Sequence, residues 1–210
     1  MVRRLNLVYQ KLYSLFGSQY WWPADTPFEV MIGAILTQNT NWLNVEKAIS
    51  NLKKHKLLQP HKLYKLSHKH LASLIRPAGY YNIKAKRLKG FLKFFIRHYD
   101  GNVKKMSGID TSSLRQQLLS VKGIGPETAD SMLLYALNRP IFVVDAYTKR
   151  ILLRHHFIGE DVGYDKIQNL FMQNLKSGVK LFNEYHALLV KLGKEFCLKN
   201  KSICEICPLK

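Results

Sequence analysis

At 210 residues, with 47% hydrophobic and 22% charged side chains, the chain can bury a sizeable core in one large or two small domains and is too apolar to be disordered. Thirty-three Lys and Arg against 14 Asp and Glu give a formal net charge of +19, which fits either a polyanion partner or a lysine-rich background that favours solubility. No apolar run reaches the roughly 20 residues that span a bilayer, and the first residues lack the small-residue site of a cleaved signal peptide, so no membrane partner is expected.

Leu5, Val8, Leu12 and Leu15 recur at helical spacing and predict a first helix. Tyr20, Trp21, Trp22 and Pro23 follow, on a segment that the proline keeps out of a helix interior. Adjacent indoles do not easily face one core, so at least one is expected at a surface cleft, although a plug between domains would use the same rings. PFEVMIGAILTQNT predicts a buried helix on Phe28, Met31, Ile32 and Ile35, ending in the polar patch Thr37, Gln38, Asn39 and Thr40. Asn41 then suits the cap of the next helix, with Trp42 directly behind it.

Residues 43–75 read as helical, interrupted by KKHKLLQPHK, whose charges suit a solvated face. The turn at 76–82 leads into the helix IKAKRLKGFLKFFIRHY, where Leu88, Phe91, Leu92, Phe95 and Ile96 face the core. On that helix Lys84, Lys86, Arg87, Lys89 and Lys93 are poised for phosphates, or simply form a solvated face. Residues 101–113, with Gly101, Gly108 and Asp110, read as a loop.

Leu114, Leu118 and Val121 carry a helical stripe up to Gly123-Ile124-Gly125, and Ala129, Met132, Leu133 and Ala136 begin another. So short a glycine turn makes the two helices neighbours. The amides of Ile124, Gly125 and Glu127 can then face an anion such as a phosphodiester; the plainer reading is a helix C-cap followed by Pro126 at a helix start. PIFVV at 140–144 is the one short candidate for a strand, and Asp145 after it reads as the N-cap of a basic helix over 147–157. Two further helices are expected over 164–175 and 179–195, so the fold class is all-α. Cys197, Cys204 and Cys207 form C-x6-C-x2-C, an odd and local set that points to a reducing, cytoplasmic compartment and a metal site rather than a disulfide framework.

The strings VKGIGPETAD and VVDAYTKR, with AILTQNTNW, IRPAGYYNIKAKRL and the terminal cysteines, resemble the endonuclease III superfamily of helix-hairpin-helix DNA glycosylases over nearly the whole chain. The resemblance implies a six-helix bundle over 21–138 that contains the hairpin motif at 118–137. It also implies a second helical lobe of 1–20 and 139–210 with the cysteine cluster at 197–207, and a cleft between the lobes for the damaged base. Asp145 takes the catalytic role: a carboxylate held at a helix start can stabilise oxocarbenium charge on deoxyribose and orient or deprotonate water. Gln38 takes the position of the residue that wedges into the duplex and fills the gap left by the extruded nucleotide. Gly123, Ile124, Gly125, Lys122, Lys84 and Lys149 are expected at the DNA backbone.

Glu127 stands where lyase members of the family carry the lysine that forms a Schiff base, so the resemblance implies a monofunctional enzyme. Trp21, Trp22 and Trp42 together with Glu127 resemble the base pocket of the 3-methyladenine branch, whose cationic substrates suit aromatic faces. The cysteines resemble the first three ligands of a C-x6-C-x2-C-x5-C run that binds a four-iron four-sulfur cluster, and the fourth position lies past Lys210. A clipped sequence, another fourth ligand or a lost cluster would each account for that, and zinc held with His155 or His186 is a further alternative. The expected partner is duplex DNA with a damaged base, met by a monomer in the cytosol or nucleoid of a bacterium. An endonuclease III-type glycosylase/lyase for oxidised pyrimidines and a non-catalytic DNA-binding module are the competing readings.

Overall fold

A computed structural model describes residues 1–210 as twelve α-helices without a strand, in line with the expected fold class. They are α1 (Val2–Phe16), α2 (Pro27–Leu36), α3 (Trp42–Lys54), α4 (Pro60–Lys65), α5 (His68–Leu74), α6 (Tyr81–Tyr99), α7 (Val103–Ser107), α8 (Thr111–Leu119), α9 (Pro126–Ser131), α10 (Ala146–Arg154), α11 (Tyr164–Asn174) and α12 (Val179–Glu195). A 3-10 turn at Arg76–Ala78 precedes α6, and a π turn at Met132–Ala136 prolongs α9. The chain divides into two compact units, Ala24–Asn138 and Met1–Pro23 with Arg139–Lys210.

The unit Ala24–Asn138 is built on α2. Thr26 caps it by accepting the Glu29 N–H at 3.2 Å, and Pro27 fills the first helical position, where its missing N–H costs nothing. Every residue from Phe28 to Leu36 is buried, as a helix apolar on all sides requires, beneath α3, α6, α9 and the π turn. The apolar face of α6 supplies Leu88, Phe91, Leu92 and Phe95, and the Phe95 ring stacks on both Phe28 and Phe91. Across the hairpin, Arg115 of α8 grips Asp130 of α9 through two hydrogen bonds of 2.7 and 3.1 Å, and the Asp130 side chain is fully buried.

Two local expectations change here. The helical stretch over 43–75 is three helices, because Lys56 takes a left-handed conformation, Pro60 opens α4 and Ser67 caps α5 through the His70 N–H. The expected loop over 101–113 contains α7 and the start of α8. Asn102 accepts from the Lys104 amide and Asp110 from the Ser113 amide, both at 2.9 Å, so capping residues that resemble loop chemistry start two short helices.

In the other unit α12 packs against α10 and α1, and α11 against α1. Its core holds Leu5, Leu12, Phe142, Phe171, Phe182 and Tyr185, with the Phe142 and Phe171 rings parallel at 3.8 Å. The buried Tyr185 hydroxyl donates to the Leu5 carbonyl at 2.8 Å. Ile141–Val144 is buried but is not a strand: the Phe142 carbonyl accepts from Gln168 Nε2 at 2.6 Å, and the Val144 N–H donates to the Tyr164 hydroxyl at 3.3 Å. Side chains of α11 thus take the place of a ladder partner.

Candidate active site

Asp145 is the N-cap of α10. Its backbone is extended, and Oδ1 accepts the Thr148 N–H at 2.7 Å. Oδ2 lies 3.6 Å from Nε2 of His186 on α12, with side-chain exposures of only 12% for Asp145 and 6% for His186. Burial pushes the Asp145 carboxyl pKa up and is the largest single influence. His186 and the capping interaction at Thr148 together outweigh it and hold the pKa below the ordinary value. The result is a fixed, ionised carboxylate at a helix start.

His186 is a site residue that the sequence reading placed only in a zinc alternative. Nothing in its local sequence pairs it with Asp145, because α10 and α12 meet only in the tertiary structure. Gly193 permits that meeting: a Cβ there would lie 2.4 Å from Tyr147 Cδ1, so the ring of α10 sits directly on the backbone of α12. Lys149 is exposed on α10, as a phosphate contact requires.

Trp21 and Trp22 are both half-buried, their rings edge to face at 5.6 Å. The Lys194 ammonium lies 5.8 Å from the Trp21 ring centroid, a cation–π approach. Within the unit Ala24–Asn138, Trp42 opens α3 half-buried, and its indole N–H donates to Glu46 at 2.7 Å.

In the hairpin, Gly123 has φ +92, a backbone that side-chain-bearing residues rarely adopt, and Gly125 caps α9 with open space where a Cβ would stand. Lys122 and Glu127 are exposed. The Ile124 side chain is buried and its N–H donates to the Val121 carbonyl at 2.9 Å, so this amide closes the turn and does not face an anion as expected. Gln38, just beyond α2, donates from Nε2 to the Gly123 carbonyl at 3.0 Å and to Thr128 Oγ1 at 2.9 Å, while its Oε1 accepts from Arg87.

Lys84 departs most from expectation. It is 1% exposed, and its ammonium donates to the carbonyls of Leu36 at 2.8 Å and Ala78 at 2.6 Å. It closes the end of α2 and the turn before α6 and is not displayed to a phosphate. Burial, with the nearby Arg87 charge, pulls its pKa down to about 8. Lys89 is likewise occupied by the carbonyls of Tyr64 and Leu66.

Cys197, Cys204 and Cys207 lie in the last turns of the chain, past α12. Cys197 is buried with its sulfur 3.3 Å from Arg154 Nη1, Cys204 is exposed, and no group of three or more His, Cys, Asp or Glu side chains that could hold a metal ion comes together. Cys204 Sγ lies 3.3 Å from Ser202 Oγ, and His186 faces Asp145 instead of completing a zinc set with the cysteines. Two arginines of α10 hold this segment. Arg150 donates to the carbonyls of Cys197 and Gly193 at 2.8 and 3.0 Å, and Arg154 to those of Leu198 and Lys199 at 2.7 and 2.9 Å.

The chain belongs to the HhH-GPD superfamily of base excision DNA repair proteins, whose family model matches residues 32–177 and so spans both the glycine hairpin and Asp145. It is accordingly a DNA glycosylase. The chain is 51% identical over 205 residues, 97% of its own length and 92% of the relative's, to a protein of Methanocaldococcus jannaschii provisionally named a DNA repair glycosylase. It is similar to the structure of the H. pylori 3-methyladenine DNA glycosylase bound to 1,N6-ethenoadenine, with 29% identity, TM-score 0.77, and coverage of 94% of this chain and 97% of that one. A non-covalent endonuclease III–DNA complex shares the fold at 21% identity and TM-score 0.85, covering 100% of this chain and 93% of that one.

Proposed function

We propose that this glycosylase is monofunctional and releases a cationic alkylated purine of the 3-methyladenine type from duplex DNA, leaving an abasic site. The observation that carries the reading is Asp145, ionised and fixed at the head of α10 by the Thr148 amide. As the C1′–N bond breaks, the base leaves with the bonding electrons and positive charge develops on the sugar. A fixed carboxylate stabilises that charge and takes a proton from the water that adds to C1′. Glu127 offers no amine for an imine with the sugar, which supports hydrolysis without strand scission.

An alkylated purine already carries positive charge and is a good leaving group, so it needs little further activation. Electron-rich indoles favour such a base, and the tryptophans Trp21, Trp22 and Trp42 are the indoles assigned to its recognition. The likeness to the H. pylori 3-methyladenine enzyme, which extends over most of both chains, supports the same substrate class. Lys122, Lys149 and the Gly123–Gly125 hairpin are assigned to the phosphates. No step passes through a metal, and iron and acid-labile sulfide determination on the purified protein distinguishes an arginine-held C-terminal segment from a cluster-bound one.

The test is incubation with duplexes carrying 3-methyladenine or thymine glycol, scored for base release and for strand cuts before and after alkali. Cuts at 3-methyladenine that require alkali are the expected result. Alkali-independent scission at thymine glycol would replace this reading with the endonuclease III-type glycosylase/lyase.

A further inference from the structure

We propose that Arg87 is a positioning residue that parks the Gln38 side chain against the hairpin, so that Gln38 must be released before it can enter a duplex. The proposal rests on the reading of Gln38 as the duplex wedge.

Gln38 has no spare hydrogen-bonding direction on its amide nitrogen. Both N–H groups are spent, on the Gly123 carbonyl and on Thr128 Oγ1, and Oε1 is held by Arg87. The orientation of the amide is fixed by chemistry, since a guanidinium only donates and a carbonyl only accepts. Arg87 also carries the hairpin from below: a Cβ at Gly123 would lie 2.6 Å from its Cγ and 2.9 Å from its Cδ. One arginine thus supports the left-handed glycine with its stem and holds the wedge with its head.

The same helix fixes the base of the wedge. Lys84 and Arg87 stand one turn apart on α6, and Lys84 holds the Leu36 carbonyl two residues before Gln38. The end of α2 is therefore rigid, and the freedom left to Gln38 is in its side chain. A Gln38 that fills a gap in the duplex gives up all three hydrogen bonds, and the Gly123 carbonyl and Thr128 hydroxyl lose a donor at that moment. Wedge insertion and hairpin rigidity are coupled in this way.

Arg87→Met keeps a stem beneath Gly123 and removes the donors, while Thr128→Val removes one acceptor at the far end and leaves Arg87 in place. Amide hydrogen exchange over residues 123–129 of the free protein is the first readout, and the second is stopped-flow fluorescence of 2-aminopurine beside a tetrahydrofuran abasic site in a duplex. Both variants are expected to exchange about three- to tenfold faster in the hairpin and to insert into the duplex faster by a similar factor. A merely structural arginine would slow insertion or leave it alone. Wild-type exchange and insertion rates in a folded Arg87→Met, or in Thr128→Val if Arg87→Met does not fold, would overturn the proposal. Gln38→Ala separates the two ideas: faster exchange with insertion lost supports both, whereas faster exchange with full insertion supports the latch and removes the wedge reading beneath it.

Discussion

Asp145 caps a helix and is assigned the chemistry, and the two roles reinforce each other. The capping hydrogen bond fixes Oδ1 and helps keep the carboxyl ionised in spite of its burial. Asp145→Asn keeps a side-chain oxygen able to cap but removes the charge. Single-turnover excision is therefore expected to fall by about 10²–10⁴-fold with DNA affinity retained; a variant with full excision would remove Asp145 from the mechanism. Lys84 shows the opposite relation between burial and charge. Its folded pKa of about 8 lies below the unfolded value near 10.5, so the folded state binds this proton more weakly than the unfolded chain does. Stability contributed at this site is missing below about pH 8 and grows as pH rises towards 10.5, by about 3 kcal/mol in all. Chemical denaturation of wild type and Lys84→Met across pH 7–10.5 checks it: the wild type should gain on the variant as pH rises, and a constant difference would mean that the ammonium is not destabilised by burial.

At the scale of elements, two contacts between helices carry the site. The Arg115–Asp130 pair ties α8 to α9 across the hairpin, and its carboxylate has no access to water. Arg115→Ala leaves that charge buried without its guanidinium, which is expected to cost about 3–5 kcal/mol and lower Tm by roughly 10 °C. A shift of only a degree or two in differential scanning calorimetry would show that water reaches Asp130 readily. The second contact is α10 on α12, where Gly193 admits the Tyr147 ring. Gly193→Ala forces these helices apart and should cost about 1–3 kcal/mol. Because the same two helices bring His186 to Asp145, excision is expected to fall more than stability alone explains, as single-turnover kinetics well below Tm will show. The Gly-Ile-Gly turn announced the hairpin in the sequence, whereas the closeness of Gly193 to Tyr147 depends on a crossing of helices 46 residues apart in numbering.

For the whole molecule, the charge of +19 makes affinity for DNA a matter of counterion release. If about five phosphates are neutralised, log K against log salt has a slope of roughly −4 to −5. Lys122→Ala should reduce its magnitude by about 1, because Lys122 is exposed beside the hairpin. Lys84→Met should leave the slope unchanged, because that ammonium is already spent on two carbonyls. Fluorescence anisotropy with an undamaged duplex over a salt series measures both. Equal effects of the two substitutions would mean that long-range field rather than contact governs binding.

The all-helical fold, the hairpin and the Asp145 cap were legible in the sequence because each follows from local chemistry: apolar spacing, glycines in a short turn, and a carboxylate just before a helix. The exact opposite fates of Lys84 and Lys122 were not legible, since two lysines near turns look alike until packing decides which ammonium meets carbonyl oxygens and which meets water. The contact of Arg154 with Cys197 was not legible either, because it comes from α10, 43 residues earlier in the chain. The pairing of His186 with Asp145 and the grip of Arg87 on Gln38 likewise belong to the tertiary structure alone. Both join residues about 40 or more positions apart, and periodicity says which face of a helix is buried but not which residue of another helix it meets.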